Sequence, residues 1–261
     1  MPATSRMQTR LARGEVALCM ATRLARTPEI AMMADACGFD ALFVDMEHCT
    51  ISLDDSAAIC MAGLAAGVTP LVRIAGHDFD DAARLLDIGA LGIICPNVET
   101  RAQAESLVRA CRFPPLGTRS VAGPGPLQGY RAMPLAEVNA QGNAATIVVP
   151  MLETPAGIAN ADDIASVPGI DILLIGSNDL CTALGIPGDL QSPQLRAAYE
   201  TVARACKTHG KVLGVGGIRG DVAHVAELTR LGARFVIAGS DTQYMMKAAR
   251  AEVTALRKAA G

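Results

Sequence analysis

Eight short apolar runs, each followed by a stretch of helical period, alternate along this chain from Glu15 to its end. The runs are Val16–Met20, Ala41–Asp45, Thr69–Arg73, Gly92–Cys95, Ile147–Leu152, Ile170–Ile175, Lys211–Val215 and Arg234–Ala238. Strands joined through helices pair in parallel, because a parallel neighbour is reached only by a crossover of some length. Eight such units in 261 residues favour a closed (β/α)₈ barrel, the TIM-barrel architecture, over a doubly wound open sheet. The reading is of one barrel domain spanning residues 1–261, with no internal boundary and no low-complexity tract.

Local signals support the alternation. Thr27-Pro28-Glu29 offers an N-cap and a proline at the first helical position, and Gly38 ends that helix. Ser52-Leu53-Asp54-Asp55 resembles a capping box and opens a helix to about Ala66. Asp78 caps a helix running to Ile88. Further helices are expected over Thr100–Cys111, Thr154–Val167, Pro193–Thr208, Asp221–Leu231 and Asp241–Leu256. A Pro- and Gly-rich loop, Phe113–Gly129, breaks the rhythm, and loops this long inside a compact domain are usually functional.

Composition excludes several classes of partner. A net charge of −3 without any basic block argues against nucleic acid, as does the absence of Trp with only three Tyr and five Phe. No apolar run reaches the length of a membrane span. Cys19, Cys37, Cys60, Cys95 and Cys206 fall in apolar patterns without C-x-x-C spacing, so they read as small buried hydrophobes in a reducing, cytoplasmic setting. Arg6, Arg10 and Arg13 belong to a short amphipathic helix expected to pack under the domain.

In such a barrel the reacting residues come from the carboxyl ends of the strands. The second strand there delivers Asp45-Met46-Glu47-His48, the third Arg73, the fifth Glu153, and the sixth Gly176-Ser177-Asn178-Asp179. Neighbouring parallel strands lie about 4.8 Å apart. Glu153 and Asp179 can therefore converge on a hard divalent cation, Mg²⁺ or Mn²⁺, although either could instead only cap the helix that follows. The four lysines, Lys207, Lys211, Lys247 and Lys258, all avoid the strand carboxyl ends, which disfavours Schiff-base chemistry. His77, His209 and His224 are scattered, and the last two read as solvated helix residues, so a zinc hydrolase site is disfavoured. Gly214 to Gly220 nearly spells a dinucleotide fingerprint, but Arg219 stands where the third glycine belongs.

Taken in order, Asp45-x-Glu47-His48, Arg73, Asp87-Ile88-Gly89-Ala90, Pro115-x-Gly117-x-Arg119, Glu153-Thr154 and Gly176-x-x-Asp179-Leu180 resemble the HpcH/HpaI family of metal-dependent (class II) pyruvate aldolases over nearly the whole chain. The resemblance implies Glu153 and Asp179 as ligands of Mg²⁺, Mn²⁺ or Co²⁺, Arg73 as the contact to the keto oxygen, and His48 with Asp45 as the acid/base group. It implies that the main chain at Gly176, Ser177 and Asn178 holds the pyruvyl carboxylate. Asp87 would support the site from its own or a neighbouring subunit. The implied reaction cleaves a 4-hydroxy-2-oxo acid to pyruvate, or a related 2-oxo acid, and an aldehyde, in a homo-hexamer whose C-terminal helix swaps between subunits. Ser177, Asn178, Gly216-Gly217 and Gly76-His77 depart from the usual pattern and would shape the pocket beyond the pyruvyl group. Two alternatives stay open: a hydroxyacyl-CoA lyase drawing on Arg119 and Arg131, and a non-catalytic metabolite-binding barrel.

Overall fold

The computed structural model describes residues 5–218 and 221–260. Arg219 and Gly220, the end of the near-fingerprint, lie outside the described residues. Eight parallel strands close into a barrel in sequence order: β1 (Ala17–Thr22), β2 (Ala41–Asp45), β3 (Thr69–Arg73), β4 (Gly92–Cys95), β5 (Ile147–Leu152), β6 (Ile172–Gly176), β7 (Val212–Gly216) and β8 (Ala233–Ser240). β8 pairs back onto β1, so the sheet has no free edge.

The helices are α1 (Arg6–Ala12), α2 (Glu29–Ala36), α3 (Leu53–Ala66), α4 (Asp80–Asp87), α5 (Arg101–Cys111), α6 (Leu135–Ala145), α7 (Pro155–Ala159), α8 (Ala161–Ala165), α9 (Ser177–Ala183), α10 (Pro193–His209), α11 (Val222–Leu231) and α12 (Asp241–Ala260). The expected capping box forms: Ser52 Oγ accepts the Asp55 N–H, and Asp55 Oδ2 accepts the Ser52 N–H. Asp221 caps α11 by accepting the His224 N–H.

Apolar residues divide between two layers, as alternation along buried strands requires. Inside the barrel lie Phe43, Leu71, Ile94, Val149, Met151, Leu174 and Phe235. Between sheet and helices lie Leu42, Val72, Ile93, Val148, Leu173 and Val215, packed on Ile59, Leu107 and Val202. Met7 of α1, fully buried, plugs the amino end of the barrel, and its N–H donates to Thr69 Oγ1. The amphipathic helix expected from the arginines is thus the barrel's floor.

Several local expectations need correction. The helix expected over Thr154–Val167 is two short helices, α7 and α8, meeting at Asn160, whose side-chain amide donates to the Glu99 carbonyl. α6 follows the long loop although Gly142 and two asparagines weaken its helical signal. Tertiary packing explains it: a Cβ at Gly142 would lie 2.7 Å from the Phe113 ring, so glycine lets that ring seat on the helix. Cys37 is exposed, whereas Cys19, Cys60, Cys95 and Cys206 are buried, and all eight thiols are free. Among the described residues, no helix is long and apolar enough to cross a membrane. α12 buries none of its residues and leaves Tyr244, Met245, Met246, Val253 and Leu256 exposed.

Candidate active site at the carboxyl ends of the strands

Asp45 and Arg73 are register partners at the last positions of β2 and β3, so their side chains emerge side by side. Asp45 is fully buried and takes the Arg73 fork on both oxygens: Nε to Oδ1 at 3.0 Å and Nη2 to Oδ2 at 2.7 Å. Its Oδ1 also accepts the N–H groups of Glu47 and His48, and its Oδ2 accepts Arg23 Nε at 2.7 Å. Burial alone would raise the Asp45 carboxyl, but the Arg73 hydrogen bonds and then the Arg73 and Arg23 charges hold it below the ordinary carboxylate range. Asp45 is therefore a fixed anion that aims two guanidinium groups.

The third Arg73 nitrogen, Nη1, lies 2.9 Å from Glu47 Oε2, and the guanidinium carbon sits 5.2 Å from the Phe43 ring centroid. Glu47 Oε2 is buried and otherwise without a polar partner closer than His48 Nε2, at 3.7 Å, among the described residues. The His48 side chain is half exposed. Its imidazole faces Glu47, and its link to Asp45 runs through the main-chain N–H; the expected pairing of Asp45 with the ring is replaced by one with Glu47.

Glu153 follows β5 and is 3 % exposed. Its Oε2 accepts the N–H of Asn97, a residue held at φ +52 in the turn after β4, a conformation asparagine tolerates better than most. A Cβ at Gly176 would lie 2.5 Å from Glu153 Oε1, so only glycine at the end of β6 leaves room for this carboxylate. Burial, and after it the neighbouring Asp179 charge, outweigh the Asn97 N–H and push the Glu153 carboxyl up to about 7. Asp179 itself is exposed, in the first turn of α9.

Glu153 and Asp179 fit a divalent cation on these grounds. The two carboxylates repel one another, Gly176 leaves Glu153 its room, and an added positive charge relieves the repulsion. Among the described residues no three His, Cys, Asp or Glu side chains form a complete cage. A two-carboxylate set completed by water or substrate oxygens is what Mg²⁺ takes.

Arg23, Arg73 and the segment Gly176–Asp179 line one pocket at the barrel mouth. α9 has no side-chain cap, so its first N–H groups are uncommitted to one. The Ser177 hydroxyl is spent elsewhere, donating to the Gly216 carbonyl at 2.6 Å and sharing a hydrogen bond with Tyr199 Oη. A larger cavity, about 330 Å³ between α10 and α11, is lined by Tyr199, His224 and Leu228 and contains none of the strand-end residues. His224 is buried there rather than solvated.

Asp87 is not brought to this mouth within one chain. It ends α4, five residues before β4 begins, and therefore lies at the amino end of the barrel. There it pairs with Arg119 at 2.6 Å, and Arg119 in turn lies over the Phe113 ring. Lys211 also sits at that end, its Nζ on the Ile170 carbonyl.

Arg23 was not expected in the site. Ending the first strand at Met20 leaves Arg23 in a loop, whereas β1 runs to Thr22 and makes Arg23 the residue just past a strand end. The criterion that selects Arg73 would then select Arg23 as well.

Known proteins share this fold and much of this sequence. The family described as HpcH/HpaI aldolase/citrate lyase matches residues 23–248. A 4-hydroxy-4-methyl-2-oxoglutarate aldolase of Chaetomium globosum is 38% identical over 254 residues, 95% of this chain and 94% of that protein. An enzyme of the same name from Hapsidospora irregularis is 44% identical over 209 residues, 78% of this chain and 77% of that one. The crystal structure of an HpcH/HpaI aldolase from Desulfitobacterium hafniense superposes with a TM-score of 0.91 at 28% identity, covering 96% of both chains.

Proposed function

The chain belongs to the HpcH/HpaI aldolase/citrate lyase family, and from that premise we propose that it is a class II pyruvate aldolase. It cleaves 4-hydroxy-2-oxo acids to pyruvate, or a related 2-oxo acid, and a carbonyl compound, and it runs the aldol addition in reverse. The observation that carries this reading is the buried Glu153 beside Asp179 and Arg73, the last two lining a mouth that has no lysine among its described lining residues. Arg119, which a CoA lyase would need near the substrate, is engaged with Asp87 at the other end of the barrel.

Glu153 and Asp179 would hold the cation, which when bound supplies a Lewis acid for the 2-oxo group. The first N–H groups of α9, at Ser177 and Asn178, receive the pyruvyl carboxylate next to Gly176. His48, kept beside Glu47, takes the C4 hydroxyl proton. The C3–C4 bond then breaks, its electron pair passes to C3, and the carbonyl half leaves. The pyruvate enolate oxygen is stabilised by Arg73, which Asp45 holds in place, and protonation at C3 gives pyruvate.

In this reading Asp87 supports the site of a neighbouring copy in a homo-hexamer. The exposed apolar residues of α12 support such an assembly, with that helix exchanged between subunits. Eight free thiols support a cytoplasmic setting.

Exhaustive dialysis against EDTA is expected to abolish aldol cleavage, and Mg²⁺, Mn²⁺ or Co²⁺ to restore it. Full activity after dialysis, or borohydride trapping of pyruvate on the protein, overturns the reading. Cation affinity is also expected to rise with pH through about 7, because the proton that burial keeps on Glu153 must leave before the carboxylate can act as a ligand. Mn²⁺ titrations at pH 5.5, 7 and 8.5 measure this, and a flat profile counts against Glu153.

A further inference from the structure

Arg23 occupies the mouth with one nitrogen committed and two free. Its Nε donates to Asp45 Oδ2, while neither Nη has a hydrogen-bond partner among the described residues. Arg73 already pairs with Asp45 on both oxygens and two main-chain N–H groups add to its shell, so Arg23 reaches a carboxylate that is already bound. The contact fixes Arg23, leaving the Nη1/Nη2 end of its planar fork available at the pocket. That end matches a carboxylate in bidentate fashion.

The backbone carrying Arg23 is held as firmly as its side chain. One carboxylate, Asp241 at the start of α12, accepts from Thr22 Oγ1 at 2.9 Å and from the N–H groups of Arg23, Leu24 and Ala25 at 3.1, 2.9 and 2.9 Å. An arginine held at its main-chain N–H and at Nε loses less freedom when it binds an anion than an unanchored one. Gly216 and Gly217 line the same pocket and bring no side chains of their own into it. Gly217 is at φ +80, and Asn178 packs against it where a Cβ would stand, so glycine is required there.

We propose that Arg23 is a specificity residue that receives a second carboxylate, carried by the carbonyl half of the substrate. The site then selects dicarboxylic 4-hydroxy-2-oxo acids, which cleave to pyruvate and a second oxo acid. This inference rests on the aldolase reading and adds to it the class of the departing half. Atoms balance without a co-reactant: the proton taken from the C4 hydroxyl equals the one returned at C3.

The test compares two acceptors of similar size in aldol addition of pyruvate, glyoxylate with a carboxylate and glycolaldehyde without one, in wild type and in Arg23→Met. The ratio of kcat/KM for glyoxylate over glycolaldehyde is expected to fall about 10- to 100-fold in the variant, the range for a lost hydrogen-bonded charge contact. The fall should lie mainly in the KM for glyoxylate. A purely structural Arg23 would lower both acceptors together; an unchanged ratio overturns the proposal. Arg23→Gln, which keeps a donor toward Asp45, provides the same ratio should Arg23→Met fail to fold. Solvent-deuterium exchange at C3 of pyruvate, followed in the wild type by NMR, separates the two readings. Exchange with an unchanged ratio removes only the role of Arg23, and absence of exchange removes the aldolase.

Discussion

His48→Ala is expected to lose aldol cleavage by about 10²–10⁴-fold, the range for general-base catalysis, while oxaloacetate decarboxylation falls far less. Decarboxylation reaches the same pyruvate enolate by expelling CO₂, so no C4 hydroxyl proton has to be taken. The geometry suits this separation. The His48 side chain is half exposed and 3.7 Å from Glu47, whereas the Arg73–Asp45 pair is buried. Arg73→Lys should damage both reactions together. A lysine cannot reproduce two parallel bonds to Asp45 and a third contact to Glu47 from one planar group. The measurement is the ratio of the two activities in each variant at one fixed cation concentration. If His48→Ala lowers both equally, His48 maintains the site and the base is another group.

Glu153→Gln is expected to abolish cleavage yet leave the metal-free protein more stable than the parent above pH 7. The sign follows from burial. The Glu153 carboxyl titrates at about 7 in the folded chain, above its ordinary value, so the folded state prefers the protonated form. Below the unfolded-state pKa both states are protonated and nothing is lost. As pH rises from there through about 7, the unfolded chain gains charge first and stability drains away. A neutral amide of the same shape keeps an oxygen for the Asn97 N–H and removes that penalty, on the order of 3 kcal/mol. Cation affinity should fall by more than the roughly 10- to 100-fold typical of losing an outer-shell partner. Asp179→Asn should weaken the cation in the same way with a smaller gain in stability, because it removes the Asp179 charge beside Glu153 but leaves burial, the larger cause of the shift, in place. Thermal unfolding of both metal-free variants at pH 5 and pH 8, with Mn²⁺ titration alongside, decides the matter. Tight Mn²⁺ binding by either variant shows that its residue is not a ligand.

Much of this barrel was legible in the chain because its signals are local. Alternating apolar runs and helix starts such as Ser52-x-x-Asp55 act within a few residues, and a parallel strand order follows from them. The acidic residues past β5 and β6 and the arginine ending β3 were legible for the same reason: their distance along the chain from a strand end is their address in the fold.

What the sequence determined by itself is therefore the architecture and those side chains at or just past a legible strand end, Asp45, Arg73, Glu153 and Asp179. Only the tertiary structure decided who pairs with whom there. Asp45 proves to be the anchor of Arg73 and Arg23 rather than the partner of the His48 ring, because parallel register sets Asp45 against Arg73 while His48 lies three residues past the strand. Asp87 falls at the opposite end of the barrel, since α4 runs back down the outside before β4 begins. Arg23 enters the site because Asp241, more than two hundred residues away, binds the turn that carries it. Contacts of that separation leave no periodic trace in the chain; they exist only once the eighth strand has closed on the first.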